Sequence, residues 1–208
     1  MQPRYELLLL VFIIIISANV FASTPVNGEM IFSFGFGIPS APSFFNDWWD
    51  PGIRFSFGGG INVGNNISIT GIIDYGMFGF NANDCASSFG IPPGFLRVSG
   101  GNSNIFTITS GANIYLIPKN KPISPFFLGR IGFVRHHIDD AYIYVPEDVF
   151  YVSSETRSGL MIYFGGGVNI KTGKNINIFT DIKYGIGMMN NTDNRSVIPI
   201  DIGMSYIF

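Results

Sequence analysis

Between His136 and Thr156 the chain gathers the residue types that hydrolytic chemistry needs. His136 and His137 are candidate bases, Asp139, Asp140, Glu147 and Glu155 candidate acids, and Ser153 and Ser154 candidate nucleophiles. Nothing in their spacing forces a histidine against a serine, so the stretch reads as a solvated loop and no catalytic residue is assigned. His136, His137, Asp139 and Asp140 would also suit a divalent cation. Ligands adjacent on one loop rarely converge on a single ion without support, so no metal or cofactor is expected. The chain's 1 cysteine, Cys85, has no partner for an internal disulfide.

A second set of chemically able residues recurs with a different logic. Arg54, Asp74, Arg130, Asp181, Lys183 and Asp201 are scattered along the chain, yet each sits within an alternating segment on the parity opposite the large apolar residues. Around Arg54 the outward parity holds Ile53, Phe55 and Phe57; around Asp181 and Lys183 it holds Ile178, Ile182 and Tyr184. Three acids meeting three bases on one face are expected to pair inside a narrow enclosure and fill it. Apart from Arg135 at a segment end, the apolar parity carries no charge, as a surface facing lipid requires.

Eight such period-two segments are predicted, near Met30 to Ile38, Gly52 to Val63, Asn66 to Phe78, Asn104 to Ile117, Ile123 to Arg135, Arg157 to Lys171, Asn175 to Met189 and Val197 to Phe208. Each is long enough for a tilted strand to cross a bilayer. Their connections alternate between compact turns (Gly64-Asn65, Pro118 to Pro122, Thr172 to Lys174) and longer loops (Pro39 to Pro51, Gly79 to Ser103, His136 to Thr156, Asn190 to Ser196). A Gly58-Gly-Gly-Ile-Asn-Val hairpin is echoed at Gly165-Gly-Gly-Val-Asn-Ile, as repeated hairpins of an up-and-down barrel would be. The long loops display Phe44, Phe45, Trp48, Trp49, Tyr142, Tyr144, Phe150 and Tyr151. Trp48, Trp49, Tyr142 and Tyr144 are the candidate surface contacts.

Upstream, Arg4, the apolar run Leu7 to Ile16 and the Val20-Phe21-Ala22 site predict a signal peptide over 1–22, too short in its apolar core to span a membrane as a helix. Residues 23–208 then form one domain. Charged residues are 12% of the chain against an ordinary share of about a quarter, too few for a water-soluble surface. That argues against a secreted lipocalin-like barrel, which would load its outer face with charge. A net charge of −2 argues against a nucleic-acid partner.

With its leader, the hairpin over 165–185 and the closing Met204-Ser-Tyr-Ile-Phe208, the chain resembles the small eight-stranded outer-membrane β-barrel family, the OmpA-like or porin-like barrels, over about residues 29 to 208. The resemblance implies an all-β, antiparallel, up-and-down transmembrane barrel in the outer membrane, with both termini periplasmic. It implies that Tyr206 and Phe208 form the signal read by the barrel-insertion machinery. Expected partners are outer-membrane lipid, lipopolysaccharide and a host or envelope ligand at the loops. The expected function is a loop-displaying structural or adhesion protein with a plugged lumen, an adhesin and not an enzyme. The alternatives are a small-solute pore and a lipid A-modifying enzyme. Lipid A deacylases of this shape carry a His-x-Ser pair on one strand, and this chain has none. No peptidoglycan-binding module follows the barrel in this sequence, so anchoring to the cell wall is not expected.

Overall fold

Alternation becomes a closed wall. The computed structural model describes residues 27–208 except 89, 93–96, 146–147 and 190–193, and the expected signal peptide, residues 1–22, lies outside the described residues. In chain order the strands are β1 (Asn27–Ala41), β2 (Gly52–Val63), β3 (Ile67–Phe78), β4 (Arg97–Gly100), β5 (Ser103–Tyr115), β6 (Ile123–Ile138), β7 (Ala141–Val145), β8 (Asp148–Val152), β9 (Glu155–Lys171), β10 (Ile176–Met189) and β11 (Arg195–Ile207). The eight long ones pair in the order β1-β11-β10-β9-β6-β5-β3-β2, every neighbouring pair antiparallel, and β1 pairs with β2 to close the ring. Closure leaves no open sheet edge, so each strand finds partners for its backbone on both sides.

Parity sorts the side chains. Along β1, Phe32, Phe34 and Phe36 are half exposed, while Ser33 between them is 3% exposed. The outward set continues as Phe55 and Phe57 on β2, Ile69 and Ile73 on β3, Phe127 and Ile131 on β6, and Ile200, Ile202 and Met204 on β11. This apolar band encircles the barrel and far exceeds the patches of soluble monomers, which is the signature of a hydrocarbon-facing wall. Among the described residues no helix is long and apolar enough to cross a membrane, which says nothing of a β-barrel, a fold that crosses with strands.

Inward positions are small or polar because an eight-stranded barrel leaves little room. At Gly37 a Cβ would come 2.9 Å from Arg54 Cδ, so a larger residue there would push the arginine aside. The turn rim is compact. Gly64, with φ +72°, makes the β2–β3 turn possible, and the neighbouring turns are stapled together by Lys119 N to Asn65 O at 2.8 Å and Lys171 N to Pro122 O at 2.9 Å.

The opposite rim differs from expectation, since its first three long connections hold helices and strands of their own. The first carries helix α1 (Ser43–Trp48) and the second helix α2 (Ala82–Ser88). The second and third contribute β4, β7 and β8, which join in a separate three-stranded sheet. β6 also runs on to Ile138, so His136 and His137 belong to a strand and not to a loop.

Phe34 lies in the band and is 52% exposed, so Phe34→Arg should destabilise the barrel by about 2–4 kcal/mol. Reversible denaturant unfolding from lipid vesicles measures this, and an inward Ser33→Ala change serves as the low-cost comparison.

Candidate functional site

Side chains fill the lumen in layers. Near mid-barrel, Lys183 Nζ donates to Asp201 Oδ2 at 2.5 Å and lies 3.0 Å from Asp181 Oδ1, one ammonium serving two carboxylates on adjacent strands. Toward the loop end, Arg54 Nη2 donates to Asp74 Oδ1 at 3.2 Å. The same carboxylate accepts from Ser56 at 2.6 Å and from Thr107 at 2.9 Å. The Arg54 guanidinium also sits 5.7 Å from the centre of the Tyr163 ring. All five charged side chains are nearly fully buried, where an ion pair holds only if its remaining hydrogen-bonding capacity is met.

Arg130 departs from the expected pairing. Among the described residues no carboxylate lies within 4.0 Å of it. Its side chain instead lines a cavity of about 20 Å³ with Asn113, Asn169, Asp181 and Ser205, room for a single water molecule. A second lumen cavity, beside Arg54, Asp74 and Tyr163, has no room for one. Spaces of this size do not make a solute path.

At the turn end a further buried charge pair closes the lumen. Lys119, from the β5–β6 turn, reaches inward so that its Nζ donates to Glu29 Oε2 on β1 at 2.5 Å and to Asn62 Oδ1 at 3.0 Å, while Ser68 Oγ donates to the other Glu29 oxygen. Sequence reading missed both residues. Glu29 falls one position before the predicted first strand and Lys119 within a predicted turn. The signal that could have found Glu29 is its parity, which it shares with Ile31 and Ser33.

The loop end is closed by aromatic rings. Helix α1 turns Phe45 inward until it is fully buried, with its ring 5.9 Å from Phe78 and 5.5 Å from His136. Arg195 stacks 5.7 Å from both Phe44 and Phe45 and hydrogen-bonds His136, whose ring also contacts Ser103. Below them Val134, Met161, Met189 and Val197 complete an apolar layer. Trp49 is drawn into this closure. It is 6% exposed and donates its indole N–H to Gly101 O at 2.9 Å, so it is a packing residue and not a surface contact. Trp48 is half-buried and donates to Ser88 Oγ at 3.1 Å, tying α1 to α2.

The catalytic inventory comes apart in space. His136 faces inward and is 1% exposed, whereas His137 faces the other side of β6, bonding Thr156 and lying 3.3 Å from Asp139. Asp140 accepts from Ser154 N at 2.6 Å and Tyr151 Oη at 2.9 Å; these two bonds, the amide foremost, hold its carboxyl below the usual range. It therefore acts as a tie within the β7–β8 sheet. Burial pushes the Cys85 thiol up, away from the reactive thiolate. Among the described residues no cluster of three metal-ligating side chains forms, and Glu147 lies outside them.

Tyr142 and Tyr144 stand exposed on one face of the loop-end sheet. Tyr151 joins them, its ring centred 5.2 Å from that of Tyr142, and Val149 and Phe150 are exposed as well. At the other end of the barrel Tyr206 and Phe208 are exposed at the edge of the apolar band, where Phe208 N donates to Gly28 O at 3.0 Å.

Set against known proteins, the sequence matches no family model and no curated protein. The fold does match solved structures. Neisserial surface protein A aligns with a TM-score of 0.56 at 12% identity, covering 89% of this chain and 98% of that one. A major outer membrane protein of Thermus thermophilus aligns at 0.53 and 10% identity, over 89% of this chain and 100% of that one. The attachment invasion locus protein Ail of Yersinia pestis, in complex with the heparin analogue sucrose octasulfate, aligns at 0.50 and 14% identity, over 89% and 100%. The chain has the fold of the small eight-stranded outer-membrane β-barrels.

Asp74→Asn should strand the Arg54 guanidinium and destabilise the barrel by about 3–5 kcal/mol. Arg54→Met combined with Asp74→Leu removes both charges and should cost well under the sum of the single changes. Unfolding midpoints of the wild type, Asp74→Asn, Arg54→Met, Asp74→Leu and the double variant in one detergent measure the difference.

Proposed function

We propose that this protein is an integral outer-membrane barrel whose role is to hold a folded, aromatic-rich loop structure at the cell surface for attachment to another surface, with turns and termini on the periplasmic side. The observation that carries the reading is the β4-β7-β8 sheet, which sets Tyr142, Tyr144 and Tyr151 outside the hydrocarbon band with no protein packed over them among the described residues. Tyrosines on a braced sheet supply contact area at small entropic cost, as binding surfaces require. The Ail barrel binds a polysulfated ligand in its complex. Here exposed Asp47, Asp50, Asp84, Asp140, Asp148 and Glu155 crowd the same end, so the chemistry favours a neutral or basic protein surface over a polyanion.

The same reading makes the protein neither a pore nor an enzyme. The filled lumen supports the first point. The second is supported by the separation of His136 from Ser153 and by the burial of the Ser103–His136 contact beneath Phe45, where no lipid substrate could reach it. Insertion is assigned to the exposed terminal pair Tyr206 and Phe208.

Tyr142→Ser with Tyr151→Ser should leave the heat-modifiable barrel in the outer membrane at normal levels and reduce adhesion of expressing cells by at least tenfold, at about 1–2 kcal/mol for each aromatic contact. Unchanged adhesion to every cell type and matrix that the wild type binds would end the adhesion reading. A changed acyl pattern of lipid A in Ser153→Ala cells would support the enzyme instead. Phe208→Asp should hold the chain in the periplasm in a protease-sensitive form, read by fractionation and by trypsin treatment of the released periplasmic fraction.

A further inference from the structure

The two rims carry opposite charge. On the turn rim Lys121, Lys171 and Lys174 are exposed, and the one acid of those segments, Glu29, is buried and committed to Lys119. Among the described residues no Asp or Glu lies within 4.0 Å of Lys121, Lys171 or Lys174. The loop rim is the acidic one, with Arg97 and Arg135 its exposed bases.

The three lysines are held on a fixed arc. Lys121 lies in a turn closed by its own N–H to Pro118 O at 2.9 Å. Lys171 binds across to Pro122 O at 2.9 Å, and the turn bearing Lys174 is closed by Thr172 N and Gly173 N, both to Ile176 O at 3.1 Å. Just inside them Ile123, Ile170 and Ile176 face outward as the last residues of the apolar band. Lys121 and Lys174 stand in turns just beyond these isoleucines, and Lys171, which alternation sets on the lumen side of β9 opposite Asn177, is exposed at the same rim, so the three charges gather at the level where acyl chains give way to phosphates.

We propose that Lys121, Lys171 and Lys174 form a binding site for the phosphate of anionic phospholipid headgroups, drawing such lipids from a mixed leaflet to this arc of the rim. A phospholipid is the occupant because the isoleucines beneath the charges offer its chains a surface that a soluble phosphate would leave bare. The inference rests on the transmembrane reading above. It names the lipid class that the turn end selects, on the rim opposite the one proposed to face lipopolysaccharide.

The test uses the refolded full barrel in bilayers of equimolar phosphatidylcholine and phosphatidylglycerol, with retained lipid counted by native mass spectrometry. The wild type should retain phosphatidylglycerol preferentially. K121Q/K171Q/K174Q should lose that preference by about fivefold or more, and K121R/K171R/K174R should keep it. Raising the salt should weaken it. Equal retention of both lipids by the wild type, or an unchanged preference in the glutamine variant, would overturn the proposal. So would competition by inorganic phosphate beyond that of sodium chloride at equal ionic strength, which would mark a site for the free ion. Failure of the wild type to float with the vesicles would overturn the transmembrane reading itself, an outcome separate from loss of lipid preference in an inserted barrel.

Discussion

Hydrocarbon offers no hydrogen bonds, and everything else in this structure follows from that. A strand crossing it must find partners for every N–H and C=O in its neighbours, so β1 has to meet both β2 and β11. Once the ring is shut at eight strands its interior is only wide enough for side chains. Charge excluded from the outside is then confined to a space where each group must find a partner. The Asp181–Lys183–Asp201 group and the Arg54–Asp74 pair, with its Ser56 and Thr107 donors, meet most of that demand, with Arg54 Nε and Asp201 Oδ1 left without a hydrogen-bond partner among the described residues. Arg130 has no carboxylate within 4.0 Å among the described residues and stands beside a cavity with room for one water.

The wall was legible because period-two alternation is a local signal enforced by two very different surroundings. Phe32, Phe34 and Phe36 against Ser33 and Gly35 allow only one orientation of β1, and the same holds around Arg54 and Asp181. Partnership across the barrel is not a local signal. Glu29 and Lys119 are 90 residues apart and meet only because a turn folds its lysine back into the lumen. Likewise the amphipathic cue in Phe44, Phe45, Trp48 and Trp49 is too short to announce a helix. Which ring of the four faces the interior depends on where the barrel mouth happens to lie. The β4-β7-β8 sheet was hidden for the same reason, since its strands are four or five residues long and come from two different connections.

The two ends of the barrel do different work. At one end short turns are bonded to one another and to Glu29 by way of Lys119, giving a stiff rim with a fixed display of charge. At the other, α1 is inserted as a stopper, α2 is tied to it through Trp48, and Trp49 reaches Gly101 at the base of the outer sheet. The first and second connections are thus mechanically joined. A ligand that moved one would feel the resistance of the other.

Strand length gives the outer sheet its height. Beyond Ser103 and Ile138 the β5–β6 ladder runs on, Asp139 N donating to Asn102 O and Gly101 N to Asp140 O, into the β4–β7 pair, whose four paired rows add roughly 13 Å along the strand, or about 10 Å along the normal after tilt. In the orientation proposed here, that ribbon is a mast. It lifts the tyrosine face away from the lipid phosphates and into the saccharide layer, so the length of the surrounding sugar chains, and not affinity alone, would decide which cells can touch it.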